Sequence, residues 1–294
     1  VDIWVLILPL VRVILYIGMM LVNGSIFYGL LLGAQMTAGS KAHLAGLVRA
    51  GALVGLAAVA LQVPASAGYL GGDVASAFDP LYLQLMLETT LGWSSLLAAA
   101  GFIMAVWLPR LAVKYHIPTG GLICLLIASA FAVHGHATTG GMVTRLLLVI
   151  HLACVAVWLG AFLPLHRLCR LATDDPVALL ELAQTGRRFA QVGSITVALL
   201  LVSGGILAVF LTGSVTAMVA TDYGLALSGK VILVSGLLGL AALNRYRLVP
   251  AVDSGERAAA ARLSLSLRLE MLIALAIILV TSLLTTSLDL PMPP

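Results

Sequence analysis

The chain has 294 residues, of which 61% are hydrophobic and only 10% charged, with a formal net charge of +4. So little polar surface cannot coat a water-soluble globule, which excludes a soluble enzyme or binding domain and leaves an integral membrane protein. The basic residues are scattered with no dense patch, so nucleic-acid binding is excluded as well.

A helix that crosses the hydrocarbon core needs about 20 mostly apolar residues. Eight segments meet this in chain order: Leu10–Gln35, Leu47–Gly68, Thr89–Pro109, Gly120–His134, Arg145–Leu165, Val192–Thr212, Leu227–Asn244 and Leu267–Ser287. They are continuously apolar and lack the alternation of barrel strands, and only helices or closed barrels satisfy the backbone in lipid. The expected fold is all-α: a polytopic membrane helix bundle of eight transmembrane helices, one domain over residues 1–294. The first apolar stretch is too long for the core of a signal peptide and is expected to continue as a span. Cys124 and Cys154 fall inside spans and Cys169 in a loop, a distribution that argues against a disulfide framework.

Lys and Arg set the orientation. The first loop carries Lys41 and Arg49, and the third Arg110 and Lys114. The fifth carries Arg167, Arg170, Arg187 and Arg188; the seventh carries Arg245, Arg247, Arg257, Arg262 and Arg268. Only Arg12, Arg145 and Lys230 remain, inside spans or at their edges. The odd loops are therefore expected in the cytoplasm and both termini in the periplasm, as in a bacterial inner-membrane protein.

Two outer loops, Gly71–Glu88 and Gly213–Gly229, are long enough for a lid or partner surface. The inner loop Arg167–Gln191 contains a helical pattern through Leu179, Leu180 and Leu182, with Asp175 as N-cap and Pro176 at the first helical position. Gly29 and Gly33, Gly51 and Gly55, and the pair Gly204-Gly205 read as close helix packing. Neither a nucleotide-binding loop nor an inverted repeat is visible.

Ionisable residues inside a membrane are expensive and usually functional. His43, His116 and His166 fall at cytoplasmic ends and read as solvated interface residues. His134, His136 and His151 fall on the outer side. Span four ends near His134, Gly140-Gly141 suits a tight turn, and His151 is six residues into span five, about 9 Å below Arg145. Antiparallel pairing of these spans would let His151 face the end of span four. His134 and His136 converge only if the helix frays or Gly135 breaks it, so one of them with His151 is the expected pair. Cys154 follows at i+3 and can add a thiolate; Met142 in the turn can add a thioether. Imidazole with thioether suits copper, above all Cu(I). His134 and His151 at matched depth would equally suit the axial ligation of haem b in a redox protein. Hydrogen bonds between helices would account for the same residues without any ligand.

A second polar group collects toward the other face. Arg187, Arg188, Asn244, Arg268 and Glu270 read as an inter-helix clamp or an inner gate, and Lys230 begins span seven from the outer side.

Several stretches together resemble one family: Gly135-His136-Ala137, His151-Leu152, Ala156-Val157-Trp158-Leu159-Gly160-Ala161, Leu163-Pro164-Leu165, Thr221-Asp222-Tyr223-Gly224, Asn244-Arg245-Tyr246-Arg247-Leu248-Val249-Pro250 and Ser266-Leu267-Arg268-Leu269-Glu270. Over about residues 120–290, best in the last four spans, the chain resembles the bacterial copper resistance protein D (CopD or PcoD) family. Asp222 stands where that family often has Pro. The resemblance implies an eight-helix inner-membrane protein of copper transport, resistance and homeostasis. Such a protein takes copper from the periplasm, often from a small copper-carrier protein, and passes it toward the cytoplasm. It implies His136 and His151 as copper positions and no catalytic residues.

Overall fold

Every long apolar stretch of the sequence is helical in the computed structural model, which describes residues 3–135, 140–213, 217–288 and 290. Among the described residues eight helical segments are long and apolar enough to cross a membrane, and no strand occurs. Helix α1 (Trp4–Leu32) packs along α2 (Ala38–Gly71), which opens on Thr37, whose Oγ1 accepts from the Ser40 amide at 3.3 Å. A short α3 (Pro80–Glu88) precedes α4 (Thr90–Trp107) and α5 (His116–Val133). The fifth span is α6 (Gly141–Leu159), broken at Gly160-Ala161 before α7 (Phe162–Leu171). Then come α8 (Pro176–Thr212), the single turn α9 (Ala217–Ala220) and α10 (Asp222–Leu243). A π-helical turn (Asn244–Leu248) joins α10 to α11 (Val249–Asp253), and α12 (Arg257–Thr286) closes the chain.

The expected spans are all present, with shifted ends. The supposed inner loop at 167–191 is largely helix. The Asp175 carboxylate accepts from the Val177 amide at 2.8 Å, Pro176 supplies the first helical residue, and nothing interrupts α8 until Gly213 takes a left-handed φ of 68°. The outer stretch 71–88 holds α3, capped by Asp79, which accepts from the Leu81 amide at 2.8 Å. The other outer stretch ends early, because Thr221 caps α10 through the Gly224 amide at 3.0 Å.

Large apolar side chains such as Leu53, Leu96, Ile195, Val209, Ile232 and Leu272 point outward, as a lipid-facing surface requires. Small residues fill the interior: Ala52, Ala58, Ala98 and Ala105 are fully buried. A Cβ on Gly18 would fall 2.7 Å from the Gly55 Cα, so α1 and α2 touch backbone to backbone there. Gly24 and Gly160 make the same close contact between α1 and the end of α6. Two large apolar cores result, with a smaller one around Trp4, Val11, Ala65 and Ala77. One joins α1, α2, α4 and α5 through Met19, Phe102, Ile123 and Ile127; the other joins α1 with α6–α8 and α10–α12 through Tyr28, Trp158, Leu182 and Leu267. Helix α1 supplies both, so it is the shared wall of the bundle.

Candidate functional site

His151 sits in the middle of α6. The helix starts at Gly141, four residues before the expected Arg145, so His151 is ten residues in, about 15 Å along the axis rather than about 9 Å. Its ring turns toward α8. His151 Nδ1 lies 3.2 Å from Ser203 Oγ. The single Ser203 hydroxyl proton is used elsewhere: Oγ donates to the Leu199 carbonyl at 2.7 Å. Ser203 therefore accepts, and His151 Nδ1–H donates. The Leu200 carbonyl is a further acceptor for the ring's N–H. In a neutral imidazole protonated at Nδ1, Nε2 carries the lone pair and is the atom able to ligate a metal.

Gly204 makes this seat possible. A Cβ there would lie 2.9 Å from His151 Cε1 and 3.3 Å from Nδ1. The sequence reading assigned Gly204 to helix packing; here it admits the ring. Lys230, on α10, lies close enough for its charge to act on His151. Ser203, Gly204 and Lys230 were not legible as neighbours of His151, because they come from helices distant in sequence.

His134, another expected ligand, has a partner on α4. Helix α5 stops at Val133, His134 is extended (φ −128°, ψ 143°), and Gly135 adopts φ 99°, so the chain does break at the glycine. His134 Nδ1 meets Thr90 Oγ1 at 2.9 Å, at the start of α4. His134 and His151 thus take separate partners on opposite neighbours of the α5–α6 pair. His136 lies outside the described residues. Met142 is exposed in the first turn of α6, whereas Cys154 is buried beside Trp158 in the core shared with α1. Among the described residues no three His, Cys, Asp or Glu side chains come together.

Asn23, on α1, is a buried polar group whose Nδ2 donates to the Cys124 carbonyl at 3.2 Å, while its Oδ1 has no hydrogen-bond partner. Near the terminal end of α1, the Arg12 guanidinium stacks over Phe131 at 4.8 Å and Tyr16 at 5.5 Å. A cation on two ring faces is one way to hold an arginine inside a membrane bundle.

On the basic face the expected network separates into parts. Asn244 Nδ2 donates to Glu270 Oε1, and Ser266 Oγ adds a bond at 3.4 Å; Glu270 is buried. Arg187 pairs instead with Asp253, and both Arg188 and Arg268 are exposed. The Lys230 charge acts on His151, and among the described residues no hydrogen bond or ion pair joins Lys230 to this group. Arg245, which the sequence reading left out, donates to the Ala190 carbonyl and to Ser194 Oγ, fastening the π turn to α8.

The copper resistance protein D family model matches residues 183–284, and the model of the copper resistance protein D-like N-terminal domain matches residues 2–146. Inner membrane protein YebZ of Escherichia coli (strain K12) is 31% identical over 230 residues, covering 74% of this chain and 76% of that protein. The chain belongs to the copper resistance protein D family. Copper resistance protein D of Pseudomonas syringae pv. tomato is 28% identical over 270 residues, 86% of each chain. Copper transport protein CutJ of Bacillus subtilis (strain 168) is 27% identical over 297 residues, 96% of this chain but 52% of that one. No solved structure matches. As a copper resistance protein D family member with eight apolar helices, this is a copper-related, multi-pass inner-membrane protein with lipid around it. The family resemblance reaches further than its motifs suggested: the N-terminal half has its own match, although no motif was legible there. Two of these relatives carry copper names, and the bis-histidine haem reading gains no support from them.

Proposed function

We propose that the protein takes up copper on the face bearing its termini, the periplasmic face, and passes it through the bundle toward the cytoplasm. The observation that carries this reading is the seat of His151. Inside an apolar bundle, one imidazole has its Nδ1–H committed to Ser203 and its Nε2 left as a ligand atom. The family's copper names supply the cargo. His134 and its neighbour in sequence His136 are the entry ligands, delivering to His151; the Met142 thioether and Cys154 sulfur extend the set. Imidazole with sulfur favours Cu(I).

The positive-inside distribution of Lys and Arg supports cytoplasmic odd loops and periplasmic termini. With that orientation an inside-negative potential contributes about 2.3 kcal/mol per charge per 100 mV to inward movement of a cation. Conduction needs sites that bind and also release. The Lys230 charge beside His151 opposes a resident cation and so keeps the stay short. A small periplasmic carrier protein presents the copper, and residues 1–294 act as one transport unit without a catalytic step.

The test is Cu(I) uptake into proteoliposomes under an imposed inside-negative potential. Uptake by the wild-type protein that is lost in His151→Ala, with the variant still folded, supports the reading. Absence of uptake by folded wild-type protein at any potential contradicts it.

A further inference from the structure

A cavity of ≈ 430 Å³ opens between α2 and α7 near the basic face. Four basic side chains border it: His43 from α2, and His166, Arg167 and Arg170 from α7. Leu47 and Leu163 form apolar walls. No acidic residue lines the space. The charges that act on the two imidazoles are all positive: Arg167 on His43, and Arg268 and Arg170 on His166. Among the described residues neither Arg167 nor Arg170 joins an ion pair. The nearby acids of the α7–α8 turn are engaged, Asp175 with the Val177 amide and Asp174 with Thr173 Oγ1. His166 Nδ1 is held by Ser264 Oγ at 3.1 Å, but His43 Nε2 is buried with no hydrogen-bond partner.

Guanidinium and imidazole groups that converge with no acidic side chain in the lining and no ion-pair partner among the described residues favour an anion over a cation. The space is far too large for a water molecule or a single ion, and its walls are mostly apolar. It lies between the first turns of α2 and the end of α7, the ends that the positive-inside distribution of Lys and Arg assigns to the cytoplasm, and basic pockets between helices on that side of a membrane hold anionic headgroups. We propose that this cavity binds a phosphate-bearing anion, with Arg167 and Arg170 as the charge partners and the His43 imidazole as an additional donor. The anion is the headgroup of an acidic phospholipid, its acyl chains running along Leu47 and Leu163, or a free phosphate. This site is separate from the His151 seat and does not depend on copper transport.

Native mass spectrometry of the full-length protein in detergent, given equal phosphatidylglycerol and phosphatidylcholine, distinguishes the sources, with inorganic phosphate alone as a second arm. Retention of phosphatidylglycerol over phosphatidylcholine identifies a lipid; thermal stabilisation by phosphate without lipid preference identifies the free ion. In either arm the double variant Arg167→Gln/Arg170→Gln should lower binding about tenfold or more. Leu163→Trp, which narrows the cavity and keeps every charge, should lower it as well, so the test stands even where the double variant fails to fold. Arg262→Gln removes an exposed arginine elsewhere and should leave binding unchanged. Wild-type protein that neither prefers the acidic lipid nor binds phosphate, or folded variants that bind as wild type does, would overturn the proposal. So would silver(I) binding by the wild-type protein that is lost in His43→Ala/His166→Ala, which would mark the two imidazoles as cation ligands.

Discussion

His151 donates its Nδ1 proton to Ser203 across 3.2 Å, and Ser203 in turn donates to the Leu199 carbonyl at 2.7 Å. The relay fixes which ring nitrogen keeps its lone pair. A second partner of this kind orients a metal-binding imidazole, and losing it typically costs 10- to 100-fold in affinity. Ser203→Ala leaves the Leu200 carbonyl as the ring's acceptor, so it should weaken Cu(I) binding by up to about tenfold, the lower end of that range, while the protein stays folded. A competition titration with a chromogenic Cu(I) chelator measures this. Equal affinity in both proteins would mean that the hydroxyl does not orient the ligand.

Gly204→Ala forces a methyl group to 2.9 Å from His151 Cε1. Overpacking of this kind costs roughly 1–3 kcal/mol, and the ring has to leave its place against Ser203. We expect a lower melting temperature in detergent together with weaker Cu(I) binding. Gly205→Ala, one residue on with open space at its Cβ, should change neither.

Lys230→Gln removes the positive charge that acts on His151. A cation at Nε2 should then bind more tightly, by about fivefold or more, and leave more slowly. Stopped-flow release of Cu(I) from the wild type and the variant reads both effects. Weaker binding in Lys230→Gln would show that the ammonium supports the site rather than opposing it.

At the other end of the bundle, Asn244→Ala strips the buried Glu270 of its amide donor and leaves the weaker Ser266 bond at 3.4 Å. A buried carboxyl group that loses a hydrogen bond destabilises a fold by roughly 1–3 kcal/mol. Glu270→Gln keeps the shape and should cost less. Thermal unfolding of the two variants in detergent gives the comparison. If transport falls in Glu270→Gln while stability holds, the pair serves the path of the cargo and not only the clamp.

Local chemistry was legible in the sequence and tertiary proximity was not. The start of α8 could be read from Asp175-Pro176 because a cap and a first-turn proline act within three residues. The eight spans could be read because lipid demands long apolar helices. The sequence posed a break near Gly135 as a condition, since two histidines two residues apart cannot share a helix face; α5 ends at Val133, just before it. Ser203 was missed because its meeting with His151 joins residues 52 apart on non-consecutive helices. Gly204 was missed because a glycine that admits a ring looks the same in sequence as one that admits a helix. The π turn at Asn244–Leu248 carries no residue signature, so the inward turn of Asn244 toward Glu270 appeared only as a list of polar side chains.

X-ray absorption of the Cu(I)-loaded protein tests most directly whether His151 Nε2 is an intramembrane copper ligand. Imidazole scattering from the metal in the wild type should diminish in His151→Ala, with a matching loss of bound copper. A copper spectrum and stoichiometry identical in the two folded proteins would contradict it.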